Sequence, residues 1–311
     1  MKILITGGSG FIGSHLTDRL IARGDKVCVI DNFATGRRDN LTARPGLTVV
    51  EGDIAEAATI DSAFGSFAPD VVVHAAASYK DPNDWASDAR VNVLGTALVV
   101  RAAQAAKVKK FVYFQTALCY GVKPLEQPIT LDHPILPGNS SYSISKTAGE
   151  LYVQLSGLDW VSFRLANAYG PRNISGPLPT FFKRLSEGKP CFVVDTRRDF
   201  VFVDDMIDCA EKAVDGKGSG TYHLSSGSDY SIKELFDATI AAMRINLERP
   251  VEERPRNPDD APSILLSPDR TAKDFGWSTK TKLKDGVAKA VDYYKQYGIE
   301  QTFTHLEQHK S

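Results

Sequence analysis

A glycine-rich turn at residues 6–13, with the sequence TGGSGFIG, restricts this chain to a small set of folds. The turn follows an apolar run at residues 2–5 that is typical of a buried parallel strand. It precedes residues 15–24, where apolar positions recur at helical spacing and a glycine ends the pattern. Strand, glycine-rich turn and helix in this order predict a dinucleotide-binding unit at the start of the fold.

Three glycines of this turn have separate predicted tasks. Gly7 takes the tight turn, Gly10 lets the backbone approach a pyrophosphate, and Gly13 lets the helix pack closely on the strand. The phosphates would lie at the N-terminus of the helix, where unpaired N–H groups and the helix dipole favour negative charge. Glycines also form turns that bind nothing, so the prediction depends on the flanking strand and helix.

An acidic residue after the second strand indicates which dinucleotide is bound. Residues 26–30 form a predicted strand that ends in Asp31, near the ~20-residue offset at which a carboxylate binds the adenine ribose. A carboxylate there accepts a hydrogen bond from the 2′-OH and repels a 2′-phosphate, which favours NAD over NADP. Arg37 and Arg38 could hold a phosphate, but they lie beyond Gly36 and are predicted to be loop charges.

Further strands and helices alternate through the first half of the chain, as a doubly wound α/β sheet requires. Strands are predicted at residues 47–50, 70–74, 110–114 and 160–164, with a long helix at about 88–106. The sequence predicts an α/β Rossmann fold with a doubly wound parallel sheet.

The second half of the chain is less regular. Prolines and glycines interrupt residues 171–190 and 250–268, and a helix at 283–297 closes the pattern. We predict an NAD-binding domain over residues 1–170, with later strands returning around 199–228. Residues 171–311 are predicted to form mainly a smaller C-terminal substrate-binding lobe, interleaved with the sheet.

Bulk composition excludes several kinds of partner. The 311 residues carry a net charge of −1, which gives no basic face for nucleic acid. The sequence has no apolar run long enough to span a bilayer, and it enters its first strand without a signal peptide, so we expect a cytoplasmic protein with no membrane partner. The four cysteines have neither metal-ligand nor disulfide spacing and are expected to be reduced: Cys28, Cys119, Cys191 and Cys209.

A tyrosine and a lysine indicate the chemistry. Tyr142 and Lys146 stand at i and i+4, which places both on one face of a helix. An ammonium near a phenol favours the phenolate and lowers its pKa, which would make Tyr142 a general base for a sugar hydroxyl. The spacing is common by chance, and a surface lysine would also explain it. Thr116, at the end of the fifth predicted strand, adds a hydroxyl at the sheet edge where cofactors bind.

Taken together, these residues resemble the extended short-chain dehydrogenase/reductases, specifically the NAD-dependent nucleotide-sugar epimerase/dehydratase family. The resemblance covers nearly the whole chain. Besides the glycine turn and the Tyr142–Lys146 pair, it is carried by residues 31–32, 52–54, 74–77, 92–96, 116–117, 164–172, 198–205, 224–227 and 275–277.

The resemblance implies a set of cofactor contacts. The backbone amides of Phe11 and Ile12 would bind the pyrophosphate, and Asp31 with Asn32 would hold the adenosine ribose. The remaining implied cofactor residues flank the adenine, line the cleft or support it: Asp53, Ile54, Ala75, Ala76, Ala77 and Asn92.

The resemblance also implies catalytic and substrate roles. Tyr142 would be the base, Lys146 its partner and a ribose ligand, and Thr116 the third catalytic hydroxyl. Asn167 would touch the substrate diphosphate, and Arg198 would pair with a phosphate oxygen, a task that suits a bidentate guanidinium. The alternative for Arg198 is a surface ion pair with the neighbouring Asp199.

Two departures from the family pattern bear on specificity. Dehydratases and decarboxylases of the family carry acidic residues just after the catalytic hydroxyl, whereas residues 117–119 here are ALC, which disfavours dehydration. The family also places an arginine three residues before an aspartate, and Asn257 occupies that position before Asp260. Arg254 or Arg256 is expected to take the phosphate role, the alternative being a solvated loop.

The loop at residues 78–85 is expected to lie over the hexose. Its Lys80 could meet the carboxylate of a uronic acid, point to water, or assist the nicotinamide. The resemblance implies NAD-dependent epimerisation of a UDP-sugar at C4 through a transient 4-keto intermediate, for polysaccharide or O-antigen precursors. The sugar could be a hexuronic acid or an N-acetyl derivative.

Two other functions remain open at this stage. One is an NAD(P)-dependent nucleotide-sugar reductase or dehydrogenase, and the other is a catalytically idle dinucleotide-binding sensor. A homodimer formed through the helices that contain Asn92 and Tyr142 is a further expectation from the family, supported by the apolar content of those helices.

Overall fold

The computed structural model describes residues 1–138, 140–256 and 261–303. Its strands, in chain order, are β1 (Lys2–Thr6), β2 (Lys26–Asp31), β3 (Leu47–Glu51), β4 (Val71–His74), β5 (Lys110–Thr116), β6 (Trp160–Leu165), β7 (Asn167–Tyr169), β8 (Phe192–Val194), β9 (Arg197–Arg198), β10 (Phe200–Phe202), β11 (Gly220–Leu224), β12 (Tyr230–Ser231), β13 (Glu252–Arg254) and β14 (Ser263–Ile264).

The helices alternate with these strands through the first half of the chain. They are α1 (Phe11–Ala22), α2 (Ala57–Phe67), α3 (Trp85–Asp88), α4 (Thr96–Ala105), α5 (Ser141–Leu155), α6 (Pro177–Ser186), α7 (Val203–Val214), α8 (Ile232–Met243), α9 (Asp269–Phe275) and α10 (Leu283–Tyr297). Two 3₁₀ helices lie at Arg38–Asn40 and Ala117–Tyr120, and a π-helix, Ala89–Gly95, joins α3 to α4.

Seven parallel strands form the central sheet, in the order β11-β6-β5-β4-β1-β2-β3. Successive residues of β1 face opposite sides, so Ile3 and Ile5 pack with α1 and α7 while Leu4 packs with α2, α4 and α5. Burial on both faces explains why the strands are continuous apolar runs. The chain leaves β1 toward β2 and β3, then returns through β4 to the other side, which creates a switch point between β1 and β4.

The sheet confirms the predicted fold class and adds detail to the sequence analysis. All six predicted strands are present, and the seventh, β11, pairs in parallel with β6 within the region where strands were expected to return. The helix predicted at about 88–106 is continuous but has a π-helical segment around Asn92. There Thr96 donates a hydrogen bond to the carbonyl oxygen of Asn92, 2.7 Å away.

A smaller lobe covers the carboxyl edge of the sheet. It contains three short sheets, β10-β7, β12-β9-β14 and β13-β8, together with α6, α8 and α10. Helix α10 packs against α8 and α6, and Phe181 and Phe236 meet edge-to-face between α6 and α8. The lobe and the sheet share one hydrophobic cluster, so the two halves of the chain pack directly against each other.

Two properties of the described residues bear on the earlier expectations about cysteines and membranes. The four thiols are free, with Cys28, Cys119 and Cys209 buried and Cys191 half-buried. Over residues 1–138, 140–256 and 261–303, the structure contains no helix with the length and apolar character needed to cross a membrane.

The glycine-rich turn requires a residue without a Cβ at two positions, Gly7 and Gly13. Gly7 has φ +69°, and a Cβ there would lie 2.6 Å from the backbone nitrogen of Ala76. A Cβ on Gly13 would collide with the carbonyl oxygen of Gly7 and lie 2.8 Å from the Cα of Gly8. Both obstacles are backbone atoms, which cannot rotate away, so α1 reaches the end of β1 only with glycine at these positions.

We predict that Gly13→Ala destabilises the protein, because the new methyl group forces α1 away from the turn. Overpacking of this kind costs about 1–3 kcal/mol of the free energy of unfolding, which urea denaturation would measure. Gly65→Ala is the matched control: Gly65 is exposed within α2 and a Cβ there meets nothing within 4 Å. That change should leave the free energy unchanged or raise it by up to ~1 kcal/mol. Equal effects of the two substitutions would contradict the steric argument.

Candidate active site

A cavity of about 480 Å³ opens at the carboxyl edge of the sheet. Its walls come from the ends of β1, β2, β4, β5 and β6, from the start of α5, and from the lobe. Because parallel strands all end at this edge, residues far apart in sequence are brought to one place. Most of the residues predicted from the sequence to bind cofactor or substrate line this one cavity.

The glycine-rich turn forms one end of the cavity, where Gly7, Gly10, Phe11, Ile12 and Gly13 all line the wall. Helix α1 begins here with Gly10 as its N-cap and with no side chain capping it, so its first N–H groups are available to a ligand. A Cβ on Gly10 would meet only the carbonyl oxygen of Gly7, at 3.3 Å. The space in front of the helix is therefore shaped for an anion.

Asp31 ends β2 beside the turn. Its carboxylate is buried and accepts hydrogen bonds from the backbone N–H groups of Ser9 and Phe33, both at 2.8 Å. Burial raises the pKa of Asp31, and these bonds oppose the shift. Arg37 and Arg38 form ion pairs with Asp39 and Glu51. These pairs agree with the prediction that the two arginines are loop charges.

A second acidic group, Asp53, follows the neighbouring strand β3 and lines the same cavity. Asp53 accepts from the backbone N–H of Ala55 at 2.8 Å and from Arg90 at 2.7 Å, while Asn32 lies 3.5 Å from it. Hydrogen bonds and the Arg90 charge lower the pKa of Asp53 against the opposing effect of burial. Asn32, Asp53 and Ile54 all line the cavity, at the end expected to hold adenosine.

Asn92 lies behind the cavity wall rather than in it. The cavity is lined by Ala75, Ala76, Ala77 and Ser78, whereas Asn92 is buried beneath them. The Asn92 amide accepts from the Ser78 N–H at 2.8 Å and donates to the Ser78 carbonyl oxygen at 3.0 Å. Asn92 therefore holds the loop after β4. It supports the cavity wall from behind and does not line the cavity itself.

The three predicted catalytic groups meet in the same cavity. Thr116 ends β5, and its Oγ1 accepts from the N–H of Leu118 at 3.2 Å, which leaves its own O–H as a donor. Helix α5 begins after Ser140, whose side chain caps it. That start places Tyr142 and Lys146 on the helix face that lines the cavity. The shared face predicted from the i, i+4 spacing is present.

The predicted shift of the Tyr142 pKa is wrong for the protein as the structure describes it. The sequence favoured a lowered value, but burial raises the pKa of Tyr142, and Tyr79 and Asp88 raise it further. Burial also lowers the pKa of Lys146 from 10.5 to about 7, although Glu150 opposes this shift. A low dielectric disfavours the charged form of each group.

A buried polar network supports the helix that carries these two residues. Glu150, a further four residues along α5, accepts from the Arg164 guanidinium at 2.9 and 3.3 Å. Arg164 also donates to the Tyr120 hydroxyl at 2.6 Å, and Tyr120 lies 2.6 Å from Nε2 of His223. Since every member is buried and paired, removal of one partner would leave another charged or polar group unsatisfied.

The predicted substrate residues divide into two groups. Lys80, Asn167 and Arg198 line the cavity. The alternative proposed for Arg198, an ion pair with Asp199, gains no support from the carboxylate's partners, since Asp199 accepts from Ser225 and Ser226.

The second group does not reach the cavity. Arg254 lies on β13, paired with Glu252 and stacked on Phe192, so the structure places it outside the site. Arg256 also is not part of the cavity wall. The sequence departure at Asn257, three residues before Asp260, lies outside the described residues.

Sequence reasoning missed several residues in the cavity wall. Tyr79 is one, although its loop was expected to cover the site. Gln115 precedes Thr116 and turns its amide oxygen to the Thr116 N–H at 2.8 Å. Asn173 follows the glycine and proline after β7, and its side-chain amide donates a hydrogen bond to the Ala168 carbonyl oxygen, 3.3 Å away. The position of Gln115, a polar residue at the end of a predicted strand, could have identified it as a cavity residue. Tyr79 and Asn173 lie in loops, and local sequence does not show which loop residues face the cavity.

Comparisons with known proteins agree with this geometry. The sequence model of the NAD dependent epimerase/dehydratase family matches residues 3–224. The UDP-glucose 4-epimerase of Mycolicibacterium smegmatis is 33% identical, over 95% of this chain and 99% of its own length.

Two solved structures from Bordetella bronchiseptica are also similar. The enzyme WbmH, in complex with NAD⁺, is 58% identical with a TM-score of 0.93, covering 96% of this chain and 99% of its own. The enzyme WbmG, in complex with NAD and UDP, is 45% identical with a TM-score of 0.90, covering 98% of each chain.

The residues at the glycine-rich end of the cavity fit NAD, since Gly10 leaves room for a phosphate and Asp31 adds a carboxylate to the same wall. Matches of this extent cover the glycine-rich turn, Asp31, Thr116 and the Tyr142–Lys146 pair in a single alignment. The chain therefore belongs to the NAD-dependent epimerase/dehydratase family, with NAD as its cofactor.

Proposed function

We propose that this protein epimerises a UDP-sugar at C4, using NAD that is regenerated in every cycle. The observation that carries the proposal is the placement of Thr116, Tyr142 and Lys146 in a cavity that runs from the glycine-rich turn to Arg198 in the lobe. The UDP found in the WbmG complex supports a uridine diphosphate as the second ligand. The product would supply precursors for a polysaccharide.

The proposed chemistry requires a proton acceptor and a hydride acceptor. Tyr142 takes the proton of the C4 hydroxyl while Thr116 donates a hydrogen bond to the same oxygen, and C4 loses its hydrogen as hydride. NAD supplies the hydride acceptor and, when oxidised, a positive charge that favours the phenolate. The 4-keto sugar then rotates within the site and presents the opposite face of C4. The hydride returns to C4 from that face, and the proton returns to the oxygen on C4.

Residues after Thr116 favour epimerisation over dehydration or decarboxylation. Ala117 and Leu118 line the cavity, while Cys119 is buried behind them and burial raises the pKa of its thiol to about 12. These three positions supply no carboxylate to move a proton at C5 or to assist loss of water. Reversible oxidation at C4 needs only the tyrosine and the hydroxyl partner.

Two cations in the cavity wall bear on the substrate. Arg198 donates to the carbonyl oxygens of Arg197 at 2.8 Å and Ala261 at 3.3 Å, which fixes its guanidinium on the lobe side of the cavity. Lys80 is exposed on the opposite loop, with Nζ 5.4 Å from the ring of Phe303. We assign Arg198 to the diphosphate and Lys80 to the carboxylate of a uronic acid, since opposite charges attract across such a cavity.

An apolar stripe on α5 supports a homodimer. Ile144, Leu151, Tyr152 and Leu155 recur at helical spacing and remain 51%, 57%, 42% and 80% exposed. Leu94, on the neighbouring π-helix, is 48% exposed. Contiguous apolar surface of this kind marks an interaction site, and we propose that a second copy covers it. A cytoplasmic location is proposed as well, because four free thiols suit a reducing compartment.

The test of function is proton NMR of the purified protein with single UDP-sugars and no added cofactor. The panel pairs each UDP-hexose with its uronic acid and its N-acetyl derivative. We expect one substrate to convert to its C4 isomer up to a fixed ratio, without accumulation of NADH absorbance. Turnover that consumes added NAD(H) in proportion to product would show a dehydrogenase or reductase instead. Loss of water or CO₂ from the sugar would also contradict epimerisation.

We predict that Tyr142→Phe lowers kcat by at least about 100-fold, the usual contribution of a positioned general base. The change removes only the hydroxyl oxygen, so the fold and NAD binding should persist. Tyr297→Phe on α10 is the control, because Tyr297 is 50% exposed and is not part of the cavity wall. Near-normal turnover of the Tyr142 variant would remove this residue from the mechanism.

Stability should depend on pH through Lys146. With a pKa of about 7 in the folded protein and about 10.5 in the unfolded chain, the unfolded state binds the extra proton between these values. The free energy of unfolding therefore rises with pH across pH 7–10, by at most about 1.4 kcal/mol per pH unit. Lys146→Met lacks this titration. In urea denaturation without added nucleotide, the free energy of unfolding of the wild type should increase relative to that of the variant as pH rises. Parallel pH profiles of the two free energies would contradict the assignment.

Replacement of two stripe residues should produce a monomer. We expect the double variant Leu151→Glu with Leu155→Glu to run at about 34 kDa, the mass of one chain, in light scattering coupled to gel filtration, and the wild type at twice that mass. Leu125→Glu serves as the control, since Leu125 is 74% exposed but lies away from α5. A wild-type monomer, or a dimer that survives both changes, would contradict the proposed interface.

A further inference from the structure

A row of polar side chains crosses the central sheet on the side that faces α4 and α5. His74, Tyr113 and Ser162 lie beside one another in register on β4, β5 and β6, and all three are completely buried. Their hydrogen-bond partners on the helices are the Thr96 hydroxyl, the Lys146 carbonyl oxygen and the Glu150 carboxylate, at 2.9, 2.9 and 2.5 Å. The row therefore joins the sheet to the two helices that pack on this side.

Tyr113, in the middle of the row, contacts Lys146 at two points. The Tyr113 hydroxyl donates a hydrogen bond to the Lys146 carbonyl oxygen, 2.9 Å away. The Nζ of Lys146 lies over the Tyr113 ring, 4.0 Å from its centroid. One side chain thus holds both the backbone and the ammonium group of the lysine. Lys146 lines the cavity and Tyr113 lies behind the wall, so the tyrosine can act on a ligand only through the lysine.

A glycine lets α5 approach the tyrosine this closely. Gly149 is buried within α5, between Lys146 and Glu150. A Cβ at Gly149 would lie 2.6 Å from the Tyr113 hydroxyl oxygen and 2.8 Å from the carbonyl oxygen of Asn92. The second obstacle is a backbone atom, which cannot rotate away. A larger residue would therefore push α5 away from the strand, and the Lys146 backbone away from the tyrosine hydroxyl with it.

The Tyr113 ring is itself held in place by His74. The two rings stack with centroids 5.6 Å apart and an angle of 28° between their planes. His74 lies between two hydroxyl groups, with Nδ1 2.6 Å from Thr6 and Nε2 2.9 Å from Thr96. Because the Thr96 hydroxyl donates its hydrogen to a backbone carbonyl oxygen, it accepts from Nε2–H, and Nδ1 accepts from Thr6. Burial lowers the pKa of His74 well below its usual value, so the imidazole brings no second positive charge close to Lys146.

The ammonium of Lys146 needs compensation for its burial. Glu150, one turn further along α5, is already paired with Arg164 at 2.9 Å. The face of an aromatic ring is negative and attracts an ammonium within about 6 Å, most strongly where both groups are out of water. Burial raises the pKa of the Tyr113 phenol well above its usual value, so the ring acts through its face and not as a phenolate.

We propose that Tyr113 is a positioning residue for the reaction: its ring holds the Lys146 ammonium in place and in the charged form, and its hydroxyl holds the backbone that carries it. The inference rests on the role given to Lys146 in the proposed function. Strand β5 also ends in Thr116, so this one strand sets the positions of two of the three catalytic side chains. The hydroxyl lies at its end, and the lysine is held from three residues earlier.

The first experiment follows the protonation of Lys146 by NMR in the full-length holoenzyme with isotopically labelled lysine. Lys146→Met identifies the signal. Tyr113→Leu removes the ring, whereas Tyr113→Phe keeps the ring and removes only the hydroxyl. We expect Tyr113→Leu to lower the midpoint of the Lys146 titration by about 0.5–1 pH unit, the equivalent of a buried cation–π contact. Tyr113→Phe should leave the midpoint unchanged, because phenylalanine offers the ammonium the same ring face.

The second measurement separates kcat from KM for the UDP-sugar that the panel identifies. A lower midpoint leaves less of the lysine charged at a given pH, so Tyr113→Leu should lower kcat by up to about 10-fold. Tyr113→Phe should lower kcat about 3-fold, the equivalent of one hydrogen bond. KM should change little in both variants, because the tyrosine lies behind the cavity wall.

Phe111→Leu is the matched control, because Phe111 is a completely buried aromatic residue two positions earlier on β5 and in the same apolar layer. It should lower the thermal unfolding temperature about as much as Tyr113→Leu, but leave the Lys146 midpoint and kcat unchanged. Tyr113→Met, whose flexible side chain fills more of the space, replaces the leucine variant if that protein does not fold.

An unchanged midpoint after removal of the Tyr113 ring would overturn the inference. An equal shift of the midpoint in Phe111→Leu would also overturn it, by showing that any cavity in this layer has the same effect. The titration of Lys146 needs no turnover of a UDP-sugar. The positioning role of Tyr113 and the proposed reaction can therefore fail separately.

Discussion

The close contact between the start of α1 and the end of β1 determines where the rest of the site can be. Gly13 lies directly over the carbonyl group of Gly7, and Gly7 lies against the backbone of Ala76 after β4. These two contacts join β1, α1 and the β4 loop through backbone atoms alone, which cannot adjust as side chains do. The N-terminus of α1 is thereby held in front of the cavity, and the walls on both sides are fixed relative to it.

The catalytic side of the cavity depends on a different kind of support. Helix α5 brings Tyr142 and Lys146 into a buried environment, where each is more stable without charge. The Glu150–Arg164 pair, four residues further along the helix, is fully enclosed and hydrogen-bonded to Tyr120. A rigid, satisfied network beneath the helix fixes the position of both side chains.

Two loops flank the glycine-rich turn, one after β2 and one after β4. Each is held by a buried polar side chain: Asn92 exchanges hydrogen bonds with Ser78 after β4, and Asp31 accepts from the N–H of Phe33 after β2. The π-helical turn around Asn92 allows its side chain to reach the loop after β4 while its carbonyl oxygen accepts from Thr96. Buried residues behind the cavity wall are thus linked by short hydrogen bonds to the loops that line the cavity.

Local sequence determined the glycine-rich turn, the six strands of the first half, the α5 pair and the carboxylate at Asp31, because each depends on spacing or backbone conformation within a few residues. Tertiary structure decided the rest. The direction of the Tyr142 pKa shift depends on burial by segments distant in the sequence. Arg198 reaches the cavity and Arg254 does not, because Glu252 and Phe192 hold Arg254 on β13.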